Sequence, residues 1–320
     1  MATAELTQLR MWYGQYGDGE PCVFLHPGGA GVDSRALGPT VDGLTALRTA
    51  GCVFAEDEAQ LLVSGAATDA QLTAMVGQRV AGLPLEQILG WAEFCGLRIA
   101  VEPGVFVPRR RTEYLVRQAI TLGWQSARPG QPVAVLDLCC GTGALGLAVA
   151  RGLSHGHGES WVGGHPDPRE HADVYAADVD PAAVRCARRN LAQVGGQVFE
   201  GDLFGPLPAT LRGRIDLLTA NVPYIPSDQL ELLPPEARLY EPRVALDGGG
   251  DGLGLLRRVA ESAADWLAPG GSLLSEVSVE QAQPAREILR AAGLGTRVKS
   301  NEDLNATVLI ATRHGHFTHG

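Results

Sequence analysis

Apolar residues recur along this chain in two rhythms. From about Val41 to Gly90 they return every three or four positions. "TALRTAG" stops at a glycine, "AEDEAQLLVSGA" puts Ala59, Leu62 and Val63 on one face, "TDAQLTAMVGQRVAG" opens with a Thr/Asp cap, and "LPLEQILG" adds a short turn of helix. Residues 91–110, "WAEFCGLRIAVEPGVFVPRR", alternate instead and carry a Pro103-Gly104 turn, a hairpin signature. Beyond them "TEYLVRQAITLGW" reads as a helix. Near-continuous apolar runs then alternate with helical stretches to about residue 312: "VAVLDL", "DVYAAD", "QVFEGD", "IDLLTAN", "GSLLSEV" and "ATVLIATR". Such strands between helices predict a parallel, doubly wound sheet covered on both faces. The fold class is α/β, with a small all-helical N-terminal domain joined by a β-hairpin linker to the sheet domain.

The pattern divides the chain into an appendage of unassigned role (1–40), the helical domain (41–90), the hairpin (91–110), the sheet domain (111–313) and a tail (314–320). In the appendage, a short strand Cys22 to Leu25 followed by "HPGG" resembles the opening of an α/β-hydrolase. That reading is set aside for want of a nucleophile elbow. The Gly-, His- and Pro-rich insertion at 152–171 predicts a mobile loop.

Composition narrows the function classes. No apolar run is long enough to span a bilayer, and "MATAELTQLRMWYGQYGDGE" lacks the layout of a secretory signal, so a soluble cytoplasmic protein is expected. The net charge of −10 supplies no general field for nucleic acid, and no nucleic-acid or membrane partner is expected. The six cysteines show no C-x-x-C pair, which fits reduced thiols, and the histidines cluster in loop-like stretches without acidic partners, so no metal is expected. Oligomeric state is not legible in these features.

Candidate chemistry begins after "VAVLDL", where Gly141, Gly143 and Gly146 stand in G-x-G-x-x-G spacing. Glycines there allow a tight turn and a close approach of backbone to ligand at a helix N-terminus. Asp137 precedes the loop, Asp178 ends the next strand where a ribose would offer its hydroxyls, and Asp202 follows the third strand. A nicotinamide dinucleotide and S-adenosylmethionine both use such a loop. The surrounding acids favour a sulfonium and an amine over a pyrophosphate. The distance from Gly146 to Asp178 also exceeds the ~20 residues of a dinucleotide fingerprint.

A fourth strand then delivers Asn221, Val222, Pro223 and Tyr224 at its carboxyl end. With "LGWAEFCGLRIAVEPGVFVPRRRTEYLV" and "DLCCGTGALGLAVA" in the same order, "NVPYIP" resembles the HemK-like glutamine N5-methyltransferases of peptide chain release factors, over roughly residues 45–312. The resemblance implies a Rossmann-like, seven-stranded methyltransferase domain, S-adenosylmethionine as cofactor and a release factor as protein substrate. It also implies a cofactor set of Asp137, Cys139, Gly141, Thr142, Gly143, Asp178, Asp202, Leu203 and Asn221. The family's tetrapeptide is Asn-Pro-Pro-Tyr, so Val222 is a departure, as are Arg110 and Arg111 in place of a Pro-Glu step. Glu241, Pro242 and Ala245 in "LYEPRVALDGGGDGL" match a wall segment of the family and receive no catalytic role.

An amide nitrogen is a poor nucleophile because its lone pair is delocalised. Two acceptors, the Asn221 side-chain oxygen and the carbonyl of residue 222, would orient its N–H bonds and favour the partly positive nitrogen of the transition state. Tyr224 would stack on the planar group. Valine still has a carbonyl, and Pro223 biases residue 222 to extended backbone, so the acceptor is expected to survive the departure. Three alternatives stay open: an exocyclic amine of nucleic acid or another acceptor, an NAD(P)-dependent oxidoreductase, and a non-catalytic adenosylmethionine-binding protein.

Overall fold

The computed structural model describes residues 37–128, 130–154 and 172–314. The expected Cys22 strand and most of the 152–171 insertion and the tail lie outside the described residues. The chain forms two compact units, one ending at Leu89 and one beginning at Gly90, so the hairpin belongs to the second.

The first unit holds α1 (Leu37–Thr49), α2 (Ala55–Gly65), α3 (Asp69–Val80) and α4 (Leu85–Leu89). Thr68 caps α3 by accepting a hydrogen bond from the Gln71 N–H at 3.2 Å. Leu47, Ala55, Ala59, Leu61, Leu62, Leu72, Met75 and Leu85 are buried. Val63, expected beside Leu62, is exposed, and Leu61 takes its place in the core. The cause is Glu58, which is buried against Arg79 through hydrogen bonds of 2.5 and 3.1 Å. A carboxylate thus sits inside the buried stripe, beside Leu61 and Leu62 and away from Val63.

In the second unit β1 (Trp91–Phe94) pairs antiparallel with β2 (Leu97–Ala100), in a register that sets Phe94 opposite Leu97. The turn is therefore Cys95-Gly96, both at positive φ (52° and 72°), not the expected Pro103-Gly104. Two left-handed residues match the twist of a two-residue hairpin, and a cysteine in the first place gives little warning of it. Pro103 and Gly104 form a separate turn, closed by Val105 N–H to the Glu102 carbonyl at 3.1 Å.

After α5 (Glu113–Ser126) the sheet strands are β3 (Val133–Leu138), β4 (Ala172–Asp178), β5 (Gln197–Glu200), β6 (Ile215–Ala220), β7 (Leu267–Val277), β8 (Gly295–Asn301) and β9 (Ala306–Thr312). Their order is β5-β4-β3-β6-β7-β9-β8. The first five run parallel, while β9 lies antiparallel between β7 and β8, so the expected all-parallel sheet is a mixed one. β8, "GTRVKSN", was not expected: as an edge strand with mostly exposed side chains it has no apolar run to reveal it.

The helices α6 (Ala144–Ser154), α7 (Pro181–Leu191), α8 (Pro235–Tyr240), α9 (Gly254–Trp266) and α10 (Ala282–Ala291) complete the unit. Alternation along β3 feeds two cores, Val133 and Val135 into one, Leu136 and Leu138 into the other. A G-x-S-x-G spacing does occur at 152–156, contrary to the reading that set the hydrolase aside for lack of one. Its Ser154 is buried at the end of α6 and donates to the Ala150 carbonyl at 3.0 Å, so it forms no strand-to-helix elbow. Among the described residues no helix is long and apolar enough to cross a membrane, and no cluster of His, Cys, Asp or Glu could hold a metal ion.

Candidate active site

The strand order reverses between β3 and β6, and Leu138 lies opposite Ala220 in that pairing. The glycine loop and Asn221 therefore leave the sheet side by side, at the switch point where open α/β sheets bind ligands.

The loop is built from left-handed residues, Cys139 (φ 53°), Gly141 (52°) and Gly143 (74°). At Gly143 a side chain is also barred by packing, since a Cβ would meet the Ala187 backbone at 3.2 Å. The buried Thr142 gives its carbonyl to Asn190 Nδ2 at 2.8 Å, and Asn190 also bridges Ala100 of the hairpin. Asp137 lies beneath the loop, 1% exposed, accepting from Thr219 Oγ1 at 2.9 Å and the Gly146 N–H at 3.0 Å. Burial raises its carboxyl to about 7, against the pull of those two donors.

Asp178 is half-buried at the end of β4. It accepts from the Gly141 and Asp180 N–H groups, each at 2.9 Å, and burial raises its carboxyl despite both bonds. Asp202 is exposed and paired with Arg258, and the neighbouring Leu203 is buried at φ 47°. Burial pushes the thiols of Cys139 and Cys140 far up, which suits filler rather than nucleophile.

These donors decide between the two cofactors. The N–H groups of Gly141 and Gly146 already serve carboxylates, and that of Gly143 serves the Cys140 carbonyl at 2.7 Å. A pyrophosphate needs such groups free and an electropositive surround. An acid-lined loop with its amides committed fits a sulfonium-bearing amino acid and a ribose instead.

Across the crevice, Asn221 Oδ1 is buried and accepts no hydrogen bond from the described residues. The Val222 and Pro223 side chains are buried. The Tyr224 hydroxyl donates to Glu276 Oε1 at 2.8 Å and accepts from the Arg111 guanidinium. Arg111 Nε and the Thr112 hydroxyl each reach the same carboxylate at 2.8 Å. The Tyr224 carbonyl accepts from Gln281 Nε2 at 2.7 Å, and an added Cβ at Gly252 would stand 2.2 Å from it.

The following segment folds back over the motif through Ile225 N–H to the Leu246 carbonyl (3.2 Å) and Gly248 N–H to the Ile225 carbonyl (2.8 Å). Buried Glu241 accepts from the Val107 N–H at 3.2 Å and pairs with Arg109, tying this wall to the chain after the hairpin.

The crevice thus gathers Cys139, Gly141, Gly143, Asp178 and Asn221, while Asp137 and Thr142 lie under the loop and Asp202 lies at its exposed rim. Arg111 is exposed along part of its side chain, yet its guanidinium joins the motif. Thr112, Thr219, Glu276 and Gln281 were not foreseen, because an isolated Thr, Glu or Gln in an apolar stretch carries no spacing signal.

No protein-family model matches the chain. Relatives do. The chain is 40% identical over 211 residues to a release factor glutamine methyltransferase of Geobacter sulfurreducens, covering 65% of this chain and 66% of that protein. Over 240 residues it is 35% identical to a 4-amino-L-phenylalanine/4-methylamino-L-phenylalanine methyltransferase of Streptomyces pristinaespiralis, covering 75% and 76%. To the release factor glutamine methyltransferase of Moorella thermoacetica it is 37% identical over 219 residues, covering 68% and 70%. The chain belongs to the release factor glutamine methyltransferase family.

Proposed function

We propose that this protein transfers a methyl group from S-adenosylmethionine to the side-chain amide nitrogen of a glutamine in a peptide chain release factor. The observation that carries the reading is Asn221 Oδ1, a buried acceptor without a donor among the described residues. An orphaned carbonyl costs about 1–3 kcal/mol, a cost relieved when an acceptor N–H enters.

Gly141, Gly143, Cys139, Asp178, Asp202 and Leu203 would hold the cofactor, which supplies an electrophilic methyl group on a sulfonium. The chain's own part is orientation. Asn221 Oδ1 takes one N–H of the amide. The Val222 carbonyl, which accepts no hydrogen bond among the described residues, takes the other. Both bonds strengthen as the nitrogen gains positive charge, so they favour the transition state over the ground state. Tyr224 covers the amide plane, and placement of the nitrogen supplies the remaining acceleration.

A second reading has one observation behind it, the relative that acts on 4-amino-L-phenylalanine. The same two acceptors serve an arylamine, and Val222 reshapes the wall beside it.

The test is methyl transfer from labelled adenosylmethionine to purified release factor, wild type and with the glutamine of its Gly-Gly-Gln motif replaced, beside 4-amino-L-phenylalanine. Label on the wild-type factor alone supports the first reading. Label on the amino acid alone overturns it in favour of the second.

A further inference from the structure

Tyr224 is held at both ends. Its carbonyl is tied to Gln281 and its hydroxyl to Glu276 and Arg111, whose guanidinium carbon also stands 5.6 Å over the ring. Glu276 is 2% exposed at the carboxyl end of β7, where the preceding Ser275 donates to the Ala220 carbonyl at 2.8 Å. One strand end therefore fixes both the residue before Asn221 and the tyrosine after it. A phenol whose oxygen is engaged by a carboxylate and a guanidinium offers an acceptor no proton chemistry. Burial, and then the Glu276 charge, hold the phenol in its neutral form to well above its ordinary pH. What it has left to offer is the ring face away from Arg111.

We propose that Glu276 and Arg111 are positioning residues that lock the Tyr224 ring beside Asn221, and so set how tightly the acceptor group is gripped. The proposal rests on the methyltransferase reading. Arg111 stands where the family resemblance expects an acid, and an acid there would face Glu276 as a like charge. The clamp is thus built around one of this chain's own departures.

Fluorine NMR of protein containing 3-fluorotyrosine tests it, the Tyr224 signal among the six tyrosines being assigned by its loss in Tyr224→Phe. Arg111→Met and Arg111→Glu are the variants, the Arg111 side chain being 45% exposed and Thr112 and Tyr224 still donating to Glu276 without it, and thermal melts check that each folds. In both, the Tyr224 signal is expected to move. The KM for the acceptor should rise about tenfold, equivalent to about 1.4 kcal/mol, with kcat less affected and adenosylmethionine affinity unchanged. A signal that stays put in both variants overturns the clamp, whatever the wild type does with release factor. A signal that moves without any change in KM overturns the positioning role. A moved signal in a wild-type background that labels no release factor sinks that acceptor and keeps the clamp, which is then assayed on 4-amino-L-phenylalanine.

Discussion

Asp137 carries a charge question that a single substitution answers. In the unfolded chain its carboxyl titrates near the ordinary 3.8, and in the fold near about 7. Between those values the folded protein keeps a proton that the unfolded chain has released, so stability falls as pH rises through the window. At about 1.4 kcal/mol per pH unit, the gap amounts to a loss of about 4 kcal/mol, complete above neutrality. Asp137→Asn stays neutral throughout. Its amide oxygen still accepts from the Gly146 N–H, and the Thr219 hydroxyl turns to accept from the new amino group. Urea unfolding at fixed ionic strength, in half-unit steps from pH 4 to 8, measures the difference in stability between wild type and variant. That difference is expected to shift by about 4 kcal/mol against the wild type across the series. A difference that stays constant with pH would show that Asp137 is ionised throughout, and would refute burial as the dominant influence on it.

Other outcomes follow from the same geometry. Asn221→Ala should lower methyl transfer by roughly 10²–10³-fold, the range for losing one preorganised partner of the transition state; calorimetry should find adenosylmethionine affinity unchanged. Gly252→Ala drives a Cβ into the Tyr224 carbonyl and the Gln281 amide, displacing the motif without touching it chemically. Transfer should drop on the order of 10²-fold, again with cofactor binding retained. In the helical unit, Glu58→Ala removes the buried carboxylate that holds Arg79 Nε and Nη2 and should cost about 3–5 kcal/mol. The Glu58→Met/Arg79→Met pair should recover most of that loss in thermal melts of the full chain.

Much of this fold was legible because burial on both faces leaves a mark in sequence. The apolar runs of β3, β4, β6, β7 and β9 are such marks, and Asn221 stands out by ending one of them. The glycine loop was legible for a steric reason, since Gly143 admits no side chain. The edge strand β8 left no mark because solvent tolerates any polar side chain there. The clamp on Tyr224 escaped for a different reason: Arg111, Thr112 and Glu276 look unrelated until the crossover from β6 to β7 lays one strand end against the start of α5. Glu58 misled the helical pattern in the same way, because its partner Arg79 lies on another helix. Pairing of polar groups across a fold is specified by topology, and a linear pattern contains only half of each pair.

The bonds that complete the site join distant parts of the chain. Arg111 and Glu276 are 165 positions apart, Val107 and Glu241 134, and Thr219 and Asp137 82. Closing such spans costs chain entropy before the contact forms, so they assemble slowly compared with local helices. A growing chain exposes its glycine loop and Asn221 well before Glu276 is synthesised. Competence to grip an acceptor thus waits for β7 to dock beside β6, and regained transfer activity on refolding should lag the recovery of helical signal.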